Sequence, residues 1–474
     1  MKFLLVSLIA LLSLQACAQN KNDFIVTPYL QLGSAPSTQS LQLLWHAAKS
    51  ADAVWQAEYK TSTGNWIKAE KQTTTEITAA GADPFTIYNA SFTALIPGGV
   101  FTYRISKNNK VVFTAQAKAP KSFTQPFRFV ASGDMGAGTK EAKQIANGIY
   151  KANPDFVAFA GDLVYDYGLV SEYKTKFWPI YNADKADAVG VPLMRSTVFV
   201  GAVGNHDVDT KDLDKYPDAL AYYLLWDQPL NGPVGEAGGA FVPVLKASDA
   251  NRKAFTDAAR ARYPRMANFS FNYGNAHWTV IDADTYVDWT DSTLRTWVAN
   301  DLASSKDATW HFVMYHHPGF SSSKLHFEQQ QMRLLAPIFE KGNVDIVFNG
   351  HVHNYQRSFP LHFKPDNKGT LMVTGKDNKV VHGRVVNGTW TLDKNFNGKT
   401  NTKPNGVIYI ISGAGGQTLY NPEQQTLPDT WQKFTNKFIS TIHSFTLVDV
   451  NGKILKLRQV DINGRDVDAI TITK

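Results

Sequence analysis

Five short stretches of this sequence end an apolar run in side chains that can hold a metal ion. They are Gly133-Asp134-Met135-Gly136, Gly161-Asp162-Leu163-Val164-Tyr165, Gly204-Asn205-His206-Asp207, Val313-Met314-Tyr315-His316-His317-Pro318 and Gly350-His351-Val352-His353. Carboxylate, phenol, amide and imidazole groups are nitrogen and oxygen donors of the kind that bind first-row transition ions. Taken singly, each stretch says little. An isolated Gly-Asp is usually a turn. A lone core histidine is more often hydrogen-bonded structure than a ligand, and a lone Tyr165 would pack as an amphipathic ring. Their shared placement carries the meaning. In an open α/β sheet, ligands bind outside the carboxyl ends of the strands. Five polar motifs at five strand ends can therefore converge on one place. A glycine before the polar residue lets the chain turn sharply and approach a ligand closely.

The elements that must position these motifs are legible as patterns. The apolar run Phe127 to Ala131 ends in Ser132-Gly133-Asp134. Thr139 can cap a helix whose apolar positions Ala142, Ile145, Ala146 and Ile149 follow helical spacing. Phe156 to Ala160 then reads as a second buried strand, which makes a βαβ unit and predicts an α/β domain. Thr197 to Val203, Trp278 to Ile281, His311 to Tyr315 and Val344 to Phe348 fit further strands. Two excursions interrupt the pattern, Asp207 to Met266 and Leu361 to Pro404. They are the expected source of the pocket walls. Within the first, Tyr222 to Trp226 is read as helix packing before a stacking surface. Gly413-Ala414-Gly415-Gly416 has no following Lys-Ser/Thr and reads as a tight turn beside the site rather than a phosphate loop. Ser444 to Lys474 reads as strands with a hairpin at Asn451-Gly452.

The region ahead of this domain reads differently. Leu41 to Trp45, Val54 to Tyr59 and Phe101 to Ile105 are short runs of strand formers between turn clusters, predicting an all-β sandwich of about 100 residues. The expected division is an export signal over 1–18, a sandwich over 23–119 and the α/β domain over 125–474. Lys2, the apolar run Phe3 to Leu14 and Ala16-Cys17-Ala18 form the signal pattern. It allows two outcomes: cleavage after Ala18, or a lipid anchor on Cys17. The second carries Gln15 where the lipoprotein box usually has a smaller residue. The protein is accordingly expected to be exported, as a periplasmic, secreted or outer-envelope lipoprotein.

The chain has 474 residues, 43% of them hydrophobic, and a net charge of +7. That length suggests two or three domains, and the composition is that of a globular protein. The positive balance would steer acidic substrates, though it also fits a plainly basic surface. No Lys/Arg-dense arm or nucleic-acid-binding motif is evident. Cys17 is the only cysteine, so any metal site beyond it must use His, Asp, Asn, Glu or Tyr.

In order and strand-end placement, the five motifs resemble those of the calcineurin-like metallophosphoesterases, and within them the purple acid phosphatases. The resemblance extends over most of the mature chain. Leu95 to Tyr103 resembles the strand entry of fibronectin type III-like domains, with Phe101 where that fold usually has its corner tyrosine. The implied fold is a four-layer metallophosphoesterase α/β sandwich preceded by an all-β, fibronectin type III-like domain. The resemblance makes Asp162 a carboxylate bridging two metals. One metal takes Asp134, Tyr165 and His353; the other takes Asn205, His316 and His351. The wider superfamily has Asp-x-His in its first motif. Here Asp134-Met135-Gly136 has glycine, and Tyr165 replaces the missing ligand, as in the purple subgroup. A hard phenolate suits Fe(III), and the second ion can be Fe, Zn or Mn. Such a pair polarises a phosphoryl group and generates hydroxide from bound water near neutral pH.

The implied activity is hydrolysis of phosphate monoesters, with a small phosphorylated substrate. His206 and His326 resemble the family's substrate-side histidines, although a surface histidine is an equal reading for His326. His317 receives no role. His46, His277, His311, His362, His382 and His443 are treated as structural. Diester or nucleotide hydrolysis at the same metals is the nearest alternative. A non-catalytic cell-surface binding protein is the alternative from another class, but all seven ligand positions are filled.

Overall fold

The computed structural model describes residues 23–61, 64–79, 83–366, 371–374 and 380–474, apart from the side chains of 371–384. The export segment, with Ala16, Cys17 and Ala18, lies outside the described residues. Among those residues, no helix is long and apolar enough to cross a membrane.

The N-terminal region is two four-stranded antiparallel sheets. Leu41–Ala48 and Phe85–Phe92 are neighbours in one, and Trp55–Thr61 and Val100–Lys107 in the other. Trp45 and Tyr88 of the first sheet meet Trp55 of the second, with ring centroids 6.0 and 5.6 Å apart. Alternating side chains turned inward explain why these runs read as strands.

The α/β domain stacks two mixed sheets. In the first, Phe127–Ser132, Phe156–Phe159 and Val198–Gly201 run parallel. The chain's last three strands complete this sheet, Ser444–Asn451 pairing antiparallel with Phe127–Ser132. The second sheet has seven strands, with Ala276–Val280, Trp310–Met314, Ile346–Asn349 and Ile408–Ser412 parallel at its centre. Phe129 and Phe156 of the first sheet pack on Trp278 of the second at 4.9 and 5.6 Å.

Helices cover the outer faces. Lys140–Ala152 is capped by the Thr139 hydroxyl, which accepts from Ala142 N, and buries Ala142, Ile145, Ala146 and Ile149. It packs with Val130, Val157 and Phe159 of the first sheet. Ser292–Ser304 buries Leu294, Val298 and Leu302 in a cluster with Val313 and Val347 of the second. The result is helix, sheet, sheet and helix, in four layers. Each βα connection leaves from the same end of its sheet, so the five motifs come to one edge.

Candidate metal centre

Asp134 follows Phe127–Ser132, Asp162 follows Phe156–Phe159, and Asn205 follows Val198–Gly201. His316 follows Trp310–Met314, while His351 and His353 follow Ile346–Asn349. Asp134, Asp162 and His351 all hold positive φ values, of 59°, 57° and 67°. Such angles cost a non-glycine residue about 1–3 kcal/mol and collect at functional sites. The turns are also tightly apposed. A Cβ on Gly350 would sit 2.7 Å from Asp134 Oδ2.

The seven side chains form one cluster with two sides. On one, Tyr165 donates its hydroxyl to Asp134 Oδ1 at 3.0 Å, and His353 Nε2 lies 3.3 Å from the same oxygen. On the other, Asn205 Oδ1 lies 3.2 Å from His316 Nε2 and 2.9 Å from His351 Nδ1. Asp162 reaches from the middle, with Oδ1 3.2 Å from His316 Nε2. Ligand atoms of Asp134, Asp162 and His316 all lie within 4.8 Å of one another.

Outer partners decide which nitrogen each imidazole presents. His316 Nδ1 bonds the Ala160 carbonyl at 2.7 Å, and His353 Nδ1 bonds that of Thr418 at 2.8 Å. Both therefore offer Nε2. His351 is reversed: its Nε2 bonds Gln329 Oε1, and Nδ1 faces inward.

Asp134 and Asp162 are at most 1% exposed, and among the described residues no lysine or arginine pairs with either. Burial would lower the His316 pKa, but Asp162, by charge and hydrogen bond, and Asp134 outweigh it and raise it to about 10. Burial likewise acts to raise Asp162, yet the charges of His316 and His206 hold its pKa below the usual range. Burial, with the charges of Asp134 and Asp162, pushes the Tyr165 phenol well up. A phenolate there needs a cation beside it. Buried negative charge without a fixed counter-ion is costly, and the donor set is that of a transition-ion site. The residues present therefore fit a metal centre.

The two substrate-side candidates lie against this cluster. The ring of His206 is 4.3 Å from that of Tyr165, and its Nδ1 is 2.8 Å from the Asp166 carbonyl. Burial lowers its pKa, but Asp162 and that carbonyl outweigh the burial and raise it. The ring of His326 is 4.2 Å from that of His351.

Residues 127–355 match the calcineurin-like phosphoesterase family. The chain carries a calcineurin-like phosphoesterase domain. Its sequence is similar to purple acid phosphatase 13 of Arabidopsis thaliana, 23% identical over 74% of this chain and 58% of that one. Purple acid phosphatase 1 of Ipomoea batatas is 25% identical over 49% and 43%. Probable inactive purple acid phosphatase 27 of Arabidopsis thaliana is 25% identical over 60% and 46%. The chain spans about half the length of the curated relatives it matches. In fold it is similar to a solved structure titled "Structure of PhoD", with a TM-score of 0.54, 13% identity, and coverage of 96% and 94%.

The phosphoesterase domain uses residues that pattern reading passed over. Gln329 sets the tautomer of His351. His317 is buried with its ring 4.1 Å from that of His351. Asp207 accepts from Leu163 N and Gly204 N, tying two motif loops together; burial and Asp162 push its pKa up to about 8. Tyr420 stacks on His353 at 4.0 Å. The glycine turn at 413–416 was the available signal; it lies against the cluster, where a Cβ on Gly413 would be 2.9 Å from Asp134 Oδ2. Tyr222 to Trp226 is wholly buried, as helix packing requires.

Proposed function

We propose that the chain hydrolyses phosphate monoesters at a dinuclear metal site, in the manner of an acid phosphatase. The observation that carries this reading is the buried cluster itself: two carboxylates, a phenol, an amide oxygen and three imidazoles, with no lysine or arginine among the described residues paired to the carboxylates. Asp134, Tyr165 and His353 would hold Fe(III), the ion suited to a hard phenolate. Asn205, His316 and His351 would hold a divalent Fe, Zn or Mn, with Asp162 shared between the two. The metal pair supplies Lewis-acid polarisation of the phosphoryl group and an activated water. The chain's own residues do the rest. Ala160, Thr418 and Gln329 fix the imidazole orientations. The His206 backbone N–H donates to Asp162 Oδ1 at 3.0 Å. With its Nδ1 on the Asp166 carbonyl, the His206 ring offers Nε2 to a phosphoryl oxygen or to the leaving alcohol. His326 lies on the His351 side of the cluster and is proposed to contact substrate there.

The substrate is proposed to be a small phosphorylated molecule met outside the cytoplasm. The export pattern of Lys2 to Ala18 supports that location, with lipidation of Cys17 as one way of retaining the protein at the envelope. The test is hydrolysis of 4-nitrophenyl phosphate beside bis(4-nitrophenyl) phosphate, with and without added metal after chelation. Metal-dependent preference for the monoester supports the reading. Preference for the diester moves the function to a phosphodiesterase, and hydrolysis of neither by metal-loaded protein rejects it.

A further inference from the structure

A stacked pair of tyrosines stands beside the candidate centre and has no part in it. Tyr167 lies two residues beyond Tyr165, and Tyr216 belongs to the excursion that follows Asn205. Their ring centroids are 5.2 Å apart and their planes differ by 20°. Tyr167 is 41% exposed and Tyr216 half-buried. Among the described residues, neither hydroxyl has a hydrogen-bond partner. Lys215 places its ammonium 5.1 Å from the centre of the Tyr216 ring.

The loop that carries Tyr167 is hydrogen-bonded in place and lies against the turn of His206. The Glu172 carboxylate accepts from the backbone N–H groups of Asp166, Tyr167 and Leu169, which fixes the loop. The excursion is hydrogen-bonded to that loop through Val170 N to Asp218 O and Ala221 N to Gly168 O, both 2.9 Å. A Cβ on Gly168 would strike the carbonyls of His206 and Asp207, so the loop backbone lies directly on the His206 turn. The Asp166 carbonyl next to Tyr167 is the group that orients His206. Tyr216 packs against the core below, while Tyr167 leaves 41% of its surface open to solvent. An exposed aromatic face on a loop that lies against the turn of the proposed leaving-group histidine is what a flat substrate ring requires.

We propose that Tyr167 and Tyr216 form a subsite for an aromatic ring carried by the leaving group of the phosphate ester. This rests on the phosphoesterase reading above and names the substrate chemistry of the same centre. The ring is attached either directly to the ester oxygen, as in an aryl phosphate, or through a sugar, as in a nucleoside monophosphate. Lys215 adds positive charge at the rim, which favours an anionic ester without choosing between the two.

The experiment compares phenyl phosphate, adenosine 5′-monophosphate and glycerol 2-phosphate on the metal-loaded enzyme and on Tyr167→Ala, Tyr167→Leu and Tyr167→Phe. Phenylphosphonate and methylphosphonate serve as unreactive competitors. The expected result is that Tyr167→Ala raises KM for a ring-bearing ester about 3- to 10-fold more than for glycerol 2-phosphate. The inhibition constant of phenylphosphonate should rise by a similar factor relative to methylphosphonate, and Tyr167→Phe should keep the ring preference. A shift for phenyl phosphate places the ring at the ester oxygen; a shift for the nucleotide alone places it one sugar away. Equal losses for all esters, or no change in any ratio, overturn the subsite. Tyr167→Leu decides the matter if Tyr167→Ala does not fold. If no ester is hydrolysed by wild type, the phosphomonoesterase reading fails separately, and calorimetric titration with phenylphosphonate still tests the ring subsite.

Discussion

His46 and His316 are both fully buried, and their surroundings push them in opposite directions. His46 lies on Leu41–Ala48 where the two regions of the chain meet, with Nε2 2.9 Å from the Tyr29 hydroxyl. Its ring packs with those of Tyr29, Phe85 and Trp178. Burial, and secondarily the charge of Lys174, lowers its pKa to about 3. His316 is no less buried, but its Nε2 lies 3.2 Å from Asp162 and 4.0 Å from Asp134. There the carboxylates outweigh burial and raise the pKa to about 10. Burial alone therefore does not distinguish a structural histidine from a ligand. Carboxylates beside the ring do, because they favour positive charge there.

The sharpest way to break this contrast is to remove the carboxylate at the centre of the cluster. Asp162→Ala should lose most of its bound metal and more than about 100-fold in monoesterase activity, beyond the usual cost of losing an outer partner. Metal analysis and steady-state kinetics on the purified variant check this. Wild-type metal content and turnover would mean the cluster has been misread.

A smaller effect should appear at His46. Its folded pKa lies below the unfolded value of about 6.5, so the unfolded chain takes up the proton first. Stability should be full above about pH 6.5 and fall as the pH drops towards 3. The loss from this group is about 2 kcal/mol by pH 5. Urea unfolding at pH 7 and pH 5 should show His46→Gln to be less acid-sensitive than wild type. Equal sensitivity in the two proteins would place the acid-labile group elsewhere.

The strand ends were legible because apolar runs stop abruptly at a polar residue. Thr139 and the spacing of Ala142, Ile145, Ala146 and Ile149 marked the first helix as it stands. The hairpin at Asn451-Gly452 joins Ser444–Asn451 to Ile454–Asp461 as its turn residues imply. Which strand the chain's end would join was not legible, since alternation gives a buried face but not a partner. Seven cluster residues were recognisable from their motifs. The roles of Gln329 and Asp207 were not, because they arise from contacts across long sequence separations, and Tyr420 was signalled only by the glycine turn ahead of it. Nor could any motif reveal that His351 presents Nδ1 while His316 and His353 present Nε2; carbonyl and amide partners decide that.

The most direct test of the account is metal analysis of the purified protein, together with its visible spectrum and that of Tyr165→Phe. About two metal ions per chain are expected, one of them iron. A visible band from the Tyr165 phenolate to Fe(III) is expected, and it should disappear in Tyr165→Phe. A folded protein that hydrolyses phosphate monoesters with no bound metal would contradict the metal-centre reading.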